Sequence, residues 1–189
     1  ISGLGTWPRQ ATVDYFNQKC RENIPVGILR SVMPAAPDAW LTALETFGTM
    51  SFEDVVKPAL ELAEKGFPVS SYLHSGLQTN EEDHEGGIAL WPTTRDVYMP
   101  NGKVPNVGEI LVQSDLGRTF RRLIEAEKGA VNLGRAKAIR AARDRFYKGD
   151  IAQEMVDFSD QQGGLITIDD LHNFSVAIEN PEVGSFREY

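Results

Sequence analysis

The chain has 189 residues, with 19 Lys and Arg residues against 27 Asp and Glu residues, for a formal net charge of -8. Its 41% hydrophobic, 9% aromatic and 24% charged residues are close to the average of globular proteins, which excludes wholesale disorder. No apolar stretch approaches the roughly 20 residues of a membrane-spanning helix. The single cysteine, Cys20, excludes an internal disulfide and a cysteine-rich metal cluster.

The first ten residues are rich in glycine and include Pro8, which predicts a strand end or loop before a short helix over 11–19. A linker over 21–37 is predicted next. Because Ile1 is not an initiator methionine and begins no basic-then-apolar leader, we expect a processed chain or a piece of a longer product.

Two helices are predicted between residues 38 and 66. Asp38 is placed to cap the first, whose apolar residues recur at helical spacing until Gly48. Ser51 and the acid three residues later have the spacing of a capping box for the second, which Gly66 ends. Pro58 lies inside that run, so we expect a kink there or two short helices that meet.

The middle of the chain mixes one short helix with a long irregular surface stretch. A helix is predicted over 70–78, and the acids, prolines and glycines of 80–106 predict irregular structure. Ser114 is placed to cap an amphipathic helix that Gly129 closes.

The last third is predicted to be helical and then extended. Helices are expected over 134–147 and 150–158, and Thr167 opens a second capping box. Two short strands are expected over 175–178 and 183–189. The resulting fold class is mainly α with short β segments, in one helical portion over 1–189.

Isolated reactive residues do not form a convincing site. Gly3 and Gly5 begin a GxGxxG-like pattern, but Pro8 replaces its third glycine and no strand precedes it, so we predict no dinucleotide cofactor. Cys20 has no histidine nearby in sequence to act as its base, which favours an unreactive thiol.

Metal binding is not predicted either. The three histidines, His74, His84 and His172, lie far apart in sequence and lack the spacing of a helical metal pair. The acidic run over 80–85 could hold a hard cation, yet it lacks the alternating acids and central glycine of an EF-hand loop, which favours a solvated loop.

The basic charge is concentrated in one part of this acidic chain. The basic segment, residues 118–148, has ten basic residues against three acidic ones, a local balance of +7. Such a segment could contact an anionic partner. Because it lacks interleaved aromatic residues and the chain offers many acids, we expect a solvated or internally paired helical face and no nucleic-acid binding.

Four sequence blocks together resemble the large-subunit region of the gamma-glutamyltranspeptidase family. They follow one another in the family's order over nearly the whole chain. The blocks are SVMPAAPDAWLTALETFGTMSFEDVVKPALELAEKGFPVS (31–70), FYKGDIAQEM (146–155), GGLITIDDL (163–171) and FREY (186–189).

The resemblance implies the helical part of an αββα N-terminal nucleophile hydrolase. Such a precursor cuts itself and exposes a threonine that attacks an amide. Ile1 has no nucleophilic atom, and the family's threonine lies on the small subunit, beyond Tyr189. The resemblance therefore implies no catalytic residue within 1–189, an inactive fragment, and two partners: the small subunit of the same precursor and a small-molecule amide substrate. Cofactor, metal and compartment are not indicated.

One position of the family's substrate site falls inside this chain. The family motif D-x-R-E-x-x-P supplies an arginine that holds the substrate's α-carboxylate. The matching stretch is 2–8, with Pro8 as the shared proline and Leu4 in the arginine's place. Leucine cannot pair a carboxylate, so the resemblance is closer to the amidohydrolase- and acylase-like relatives, unless another residue takes over the carboxylate. The alternative is a non-catalytic binding or assembly module that uses the basic segment.

Overall fold

The computed structural model describes residues 1–20, 23–81 and 87–186, and this part of the chain is mostly helical. The first helices in chain order are α1 (Val13–Cys20), α2 (Ala36–Phe47), α3 (Phe52–Lys65), α4 (Ser71–Glu81) and α5 (Pro92–Tyr98). They are followed by α6 (Ser114–Gly129), α7 (Arg135–Lys148), α8 (Asp150–Gln161) and α9 (Ile168–Asn173). Strand β1 (Phe67–Pro68) pairs antiparallel with β2 (Ile110–Leu111).

Most predicted helix ends are confirmed, and the capping residues explain them. The Ser51 hydroxyl accepts the main-chain N–H of Asp54 at the start of α3, and Thr167 forms a full capping box at the start of α9. Gly66 stands at the end of α3 with a φ of 84°, a left-handed conformation that favours glycine. The sequence was therefore a sound guide where a side chain satisfies the helix terminus locally.

Two predicted caps are wrong. The N-cap of α2 is Ala35, and Asp38 lies inside the first turn because Pro37 already occupies a helical position. Ser114 is the first residue of α6, where Gln113 precedes it without a side-chain cap. The Asp38 carboxylate instead binds Arg143 of α7.

Of the two alternatives expected at Pro58, a kink or two short helices that meet, the second is wrong, since α3 runs through this residue as one helix. Proline removes the hydrogen bond to the carbonyl four residues earlier, which here belongs to Asp54. Pro58 and Asp54 are both exposed, so water can hydrate that carbonyl.

The stretch 80–106 is not entirely irregular, because it contains the helix α5 and a 3-10 turn at Ile88–Leu90. Pro92 is at the first position of α5, where its missing N–H costs nothing. Residues 175–178 and 183–186 contain no strand apart from the isolated bridge that Ala177 forms with Ser2. The remaining predicted strand residues, 187–189, lie outside the described residues.

Two buried clusters fill the space among α2, α3, α6, α7, α8 and α9. In the first, helices α2, α3, α6, α7 and α8 contribute Leu41, Phe52, Val56, Leu123, Ile124, Ile139, Ala142 and Ile151. In the second, the residues just before α2 meet α7, α8 and the end of α9 through Met33, Ala35, Tyr147, Ala152, Val156, Leu171 and Phe174. Helices α7 and α8 each contribute to both clusters, so they lie at the centre of this packing.

A buried acid, Glu127, joins α6 to the start of α3. Its side chain accepts the N–H groups of Phe52 at 2.6 Å and Glu53 at 2.8 Å, one with each carboxylate oxygen. These donors have no partner within the helix, and a negative charge at a helix N-terminus is favourable.

Replacing Glu127 by glutamine is expected to lower the free energy of unfolding by about 1–3 kcal/mol. The new amide group would place a donor against a buried N–H that needs an acceptor. Urea unfolding followed by circular dichroism checks this, with Glu125→Gln on the same helix as the control. An equal, small loss in the two variants would contradict the predicted role of the cap.

Candidate functional site

The N-terminal segment, residues 1–9, lies along the start of α2 and the chain that follows α9. The Ser2 N–H donates to the Ala177 carbonyl at 2.8 Å, and the Met33 N–H donates to the Thr6 carbonyl at 2.9 Å. The predicted strand end or loop is thus a loop with one bridge. It carries Leu4, the position that the sequence selected.

The far end of this segment is bound by α9. The Arg9 N–H donates to Asp170 Oδ1 at 3.1 Å, while Asp170 Oδ2 accepts the hydroxyl of Thr167 at 2.7 Å. Burial raises the pKa of the Asp170 carboxyl, but the hydrogen bonds from Thr167 and Arg9 outweigh it, so this pKa is lower than usual. The carboxylate therefore serves the helix cap and the N-terminal segment at the same time.

Glycine is required in this segment because the chain approaches the start of α2 closely. A Cβ atom on Gly5 would overlap the carbonyl oxygen of Met33 and lie 2.9 Å from Cγ2 of Val32. On Gly3, a Cβ atom would meet only the Ala39 side chain, at 3.3 Å. Gly5 therefore has a packing role in this segment.

The Leu4 side chain faces outward from the N-terminal segment, with 81% of the residue exposed. Trp7, 47% exposed, packs edge-on against Phe16 with ring centroids 6.1 Å apart. The guanidinium of this segment belongs to Arg9, whose Nε is 3.9 Å from Asp170 Oδ1. Leu4 and Trp7 are thus exposed apolar side chains of this segment, and the Arg9 cation lies beside an acid of its own chain.

A small cavity of about 180 Å³ opens beside this segment. Its lining comes from the N-terminal segment, the start of α2 and the end of α9, and comprises Thr6, Trp7, Arg9, Met33, Asp170, Asn173, Phe174 and Ser175. Polar and apolar groups therefore meet at the base of the segment that carries Leu4.

A buried ion pair connects α2 to α7 beneath this region. The Arg143 guanidinium donates to both carboxylate oxygens of Asp38, from Nε to Oδ1 and from Nη2 to Oδ2 at 3.1 Å. It lies over the ring of Tyr147, 5.0 Å from the centroid. Burial raises the pKa of the Tyr147 phenol well above its usual value, so the hydroxyl keeps its proton and donates to the Pro34 carbonyl.

Sequence reasoning missed this pair. It assigned Asp38 to a helix cap, and it left the basic face that contains Arg143 as either solvated or internally paired, without naming an acid as partner. Pro37 was the available signal, because a proline just before an acid places the start of the helix earlier.

The basic segment is described throughout, and internal contacts bind nearly all of its cations. Side-chain carboxylates pair with Arg118, Arg121, Arg122, Lys128, Arg140, Arg143, Arg145 and Lys148. Arg135 donates to the main-chain carbonyls of Leu44 and Glu45. Hydrogen bonds from Arg145 and Arg122 lower the pKa of the Asp150 carboxyl well below its usual range. The positive charge of 118–148 is thus largely neutralised within the chain.

The remaining sequence candidates stay apart. Nδ1 of His74 is 2.8 Å from the Pro105 carbonyl, and His172 lies exposed on α9. Cys20 is a half-buried free thiol at the end of α1. His84 and residues 82–85 of the acidic run lie outside the described residues.

Neither a membrane helix nor a metal cluster emerges from the parts of the chain that are described. None of the helices there is long and apolar enough to span a bilayer. Among the same residues, no three His, Cys, Asp or Glu side chains converge into a group that could hold a metal ion.

Comparison with known proteins identifies relatives over the full length of the chain. A family model described as gamma-glutamyltranspeptidase matches residues 1–189. The acylase ACY 1 proenzyme of Pseudomonas sp. (strain SE83) is 31% identical over 200 residues, which cover 100% of this chain and 32% of the relative. The glutathione hydrolase proenzyme of Bacillus subtilis (strain 168) is 30% identical over 174 residues, or 92% of this chain and 25% of the relative.

The fold comparison agrees with these relatives. A cephalosporin acylase from Bacillus halodurans matches with a TM-score of 0.73 and 25% identity, over 92% of this chain and 30% of the acylase chain. The chain spans about a third or less of the length of the curated relatives that it matches.

Proposed function

The chain belongs to the gamma-glutamyltranspeptidase family, and on this premise we propose that residues 1–189 are the helical part of the large subunit of an amide hydrolase or acyltransferase. The whole protein would be an αββα N-terminal nucleophile hydrolase made as a precursor. Its small subunit, outside 1–189, would carry the threonine nucleophile. The names of the relatives support this proposal, since both are hydrolase-type proenzymes, and so does the mainly helical fold.

In the proposed reaction, the threonine hydroxyl attacks the amide carbonyl and its own α-amine accepts the proton. The amine product then leaves, and an ester joins the acyl group to the threonine. Water hydrolyses this ester, or an acceptor amine takes the acyl group. Residues 1–189 would act by binding and placing the acyl group, and we assign none of them to the reacting atoms.

The observation that carries the proposed specificity is the exposure of Leu4, the residue that we assign to the position of the family's carboxylate-binding arginine. A leucine offers apolar contact and cannot pair with a carboxylate. The neighbouring Trp7 is also partly exposed and apolar. We therefore infer a preference for acyl groups without an α-carboxylate, as opposed to γ-glutamyl groups.

Replacing Leu4 by arginine in the full-length protein is expected to raise kcat/KM for γ-glutamyl-p-nitroanilide about tenfold or more. A guanidinium would then be available for the substrate's α-carboxylate. Release of p-nitroaniline measures this, beside an acyl-p-nitroanilide that lacks the carboxylate. Leu4→Gln adds a polar side chain without charge and serves as the control. A wild-type preference for the γ-glutamyl compound, unchanged by the arginine, would overturn the assignment.

Precursor processing is tested by the intact mass and N-terminal sequence of the purified full-length protein after standing at neutral pH. Two polypeptides, with threonine at the N-terminus of the smaller one, are expected. A single uncut chain would contradict the proposed nucleophile.

A further inference from the structure

We propose that the buried pair Asp38–Arg143 is a positioning device for substrate recognition, which holds residues 174–177 and, through them, the N-terminal segment. Neither residue would touch the substrate. This inference rests on the proposed function, in which the segment with Leu4 contacts the acyl group.

Both oxygens of the Asp38 carboxylate accept hydrogen bonds, and this side chain is only 1% exposed. Besides the fork of Arg143, it accepts the main-chain N–H of Val176 at 2.8 Å and the hydroxyl of Thr42 at 3.3 Å. Both oxygens therefore receive directional bonds, and one of these bonds comes from the segment after α9.

Arg143, the other member of the ion pair, also contacts the segment after α9. Nη2 of Arg143 donates to the Phe174 carbonyl at 2.7 Å, and the Phe174 ring stacks on Tyr147 with centroids 5.7 Å apart. The ion pair thus satisfies a carbonyl and an N–H only two residues apart in a stretch with no strand partner for them. Buried main-chain groups require such partners, so the pair determines where this stretch lies.

The stretch after α9 is in turn hydrogen-bonded to the N-terminal segment. Ala177 follows Val176 directly, and its carbonyl accepts the Ser2 N–H at 2.8 Å in the isolated antiparallel bridge. Leu4 is two residues further along. A displacement of 174–176 would therefore move the main chain that carries Leu4.

The chemistry of the pair favours a positioning role over a purely stabilising one. Burying two charges costs desolvation energy, and well-packed apolar residues of similar size can stabilise a core equally well. An apolar pair, however, could not bond both a carbonyl and an N–H. The ion pair is suited to orienting main chain outside regular secondary structure.

The test uses Asp38→Asn and Arg143→Lys in the full-length protein, with Glu64→Gln as the matched control. Asparagine keeps the size of the carboxylate, and lysine keeps the positive charge but loses the fork. The control removes the exposed Glu64–Arg121 pair between α3 and α6, away from the N-terminal segment. Hydrogen exchange of residues 1–6 and 174–177 reports the position of the segment, and steady-state kinetics on an amide substrate report recognition.

Amide exchange at Ser2 and Val176 is expected to accelerate about tenfold in both variants, with KM raised about tenfold and kcat changed less than about twofold. Glu64→Gln should change none of these quantities. If one variant fails to fold, the other decides the result. Unchanged exchange in the folded variants, or faster exchange with an unaltered KM, would overturn the positioning role. A wild-type protein that hydrolyses no amide would instead defeat the proposed function, so the two failures are distinguishable.

Discussion

Replacing Asp38 by alanine is expected to lower the free energy of unfolding by about 3–5 kcal/mol. The variant leaves the Arg143 guanidinium, whose side chain is only 15% exposed, without its carboxylate. It also removes the acceptor of the Val176 N–H. The acid that remains is the partly exposed Asp144, 3.5 Å from Nη1 of Arg143, and a buried charge that loses its main partner costs far more than the loss of a surface ion pair. Urea unfolding of the chain, followed by circular dichroism, measures the change.

A double variant, Asp38→Ala with Arg143→Met, tests whether the loss of stability comes from the buried charge of Arg143. It removes both charges, so it should recover part of the stability that the single variant loses. A loss below about 1 kcal/mol in Asp38→Ala, the range of exposed ion pairs, would show that the pair is accessible to water.

Replacing Gly5 by alanine is expected to lower kcat/KM on the amide substrate about 100-fold, because a displacement of about 1 Å in a substrate-positioning group can have such an effect. The new Cβ atom would overlap the Met33 carbonyl oxygen, so the N-terminal segment must move away from the start of α2. This movement would break the bond between the Met33 N–H and the Thr6 carbonyl. Steady-state kinetics of the full-length protein measure the effect.

Gly3→Ala is the matched control in the same segment. Its Cβ atom would meet only the Ala39 side chain at 3.3 Å, so a change of a few tenths of an ångström suffices and kcat/KM should change little. Equal losses in the two variants would indicate a general effect of glycine and not the close approach at Gly5.

The helices could be predicted where their signals are local. The apolar spacing of α2, α3, α7 and α8 and the Thr167 capping box depend on neighbours within about four residues along the chain. The failures have local causes as well. Pro92 begins α5 because the first helical position needs no N–H, and Pro58 is tolerated because the carbonyl it frees belongs to the exposed residue Asp54.

The candidate site could be predicted only in part. The position of Leu4 followed from its place in a motif, which is a property of the sequence. The partners of the segment that carries it could not be predicted, because Ala177 and Asp170 lie more than 160 residues away along the chain. The basic segment could be predicted only as solvated or internally paired for a similar reason, since a balance of +7 does not reveal which acids lie opposite each cation.

By itself, the sequence determined the family resemblance, the helical class and most helix ends, and it supplied Leu4 as the candidate for the arginine's place. All of these depend on residue type and on spacing along the chain. Only the tertiary structure decided that Asp38 and Arg143 are partners, that Gly5 allows close approach to Met33, and that the basic segment is internally neutralised. Such contacts depend on which distant surfaces pack together, and residue spacing along one chain does not contain that information.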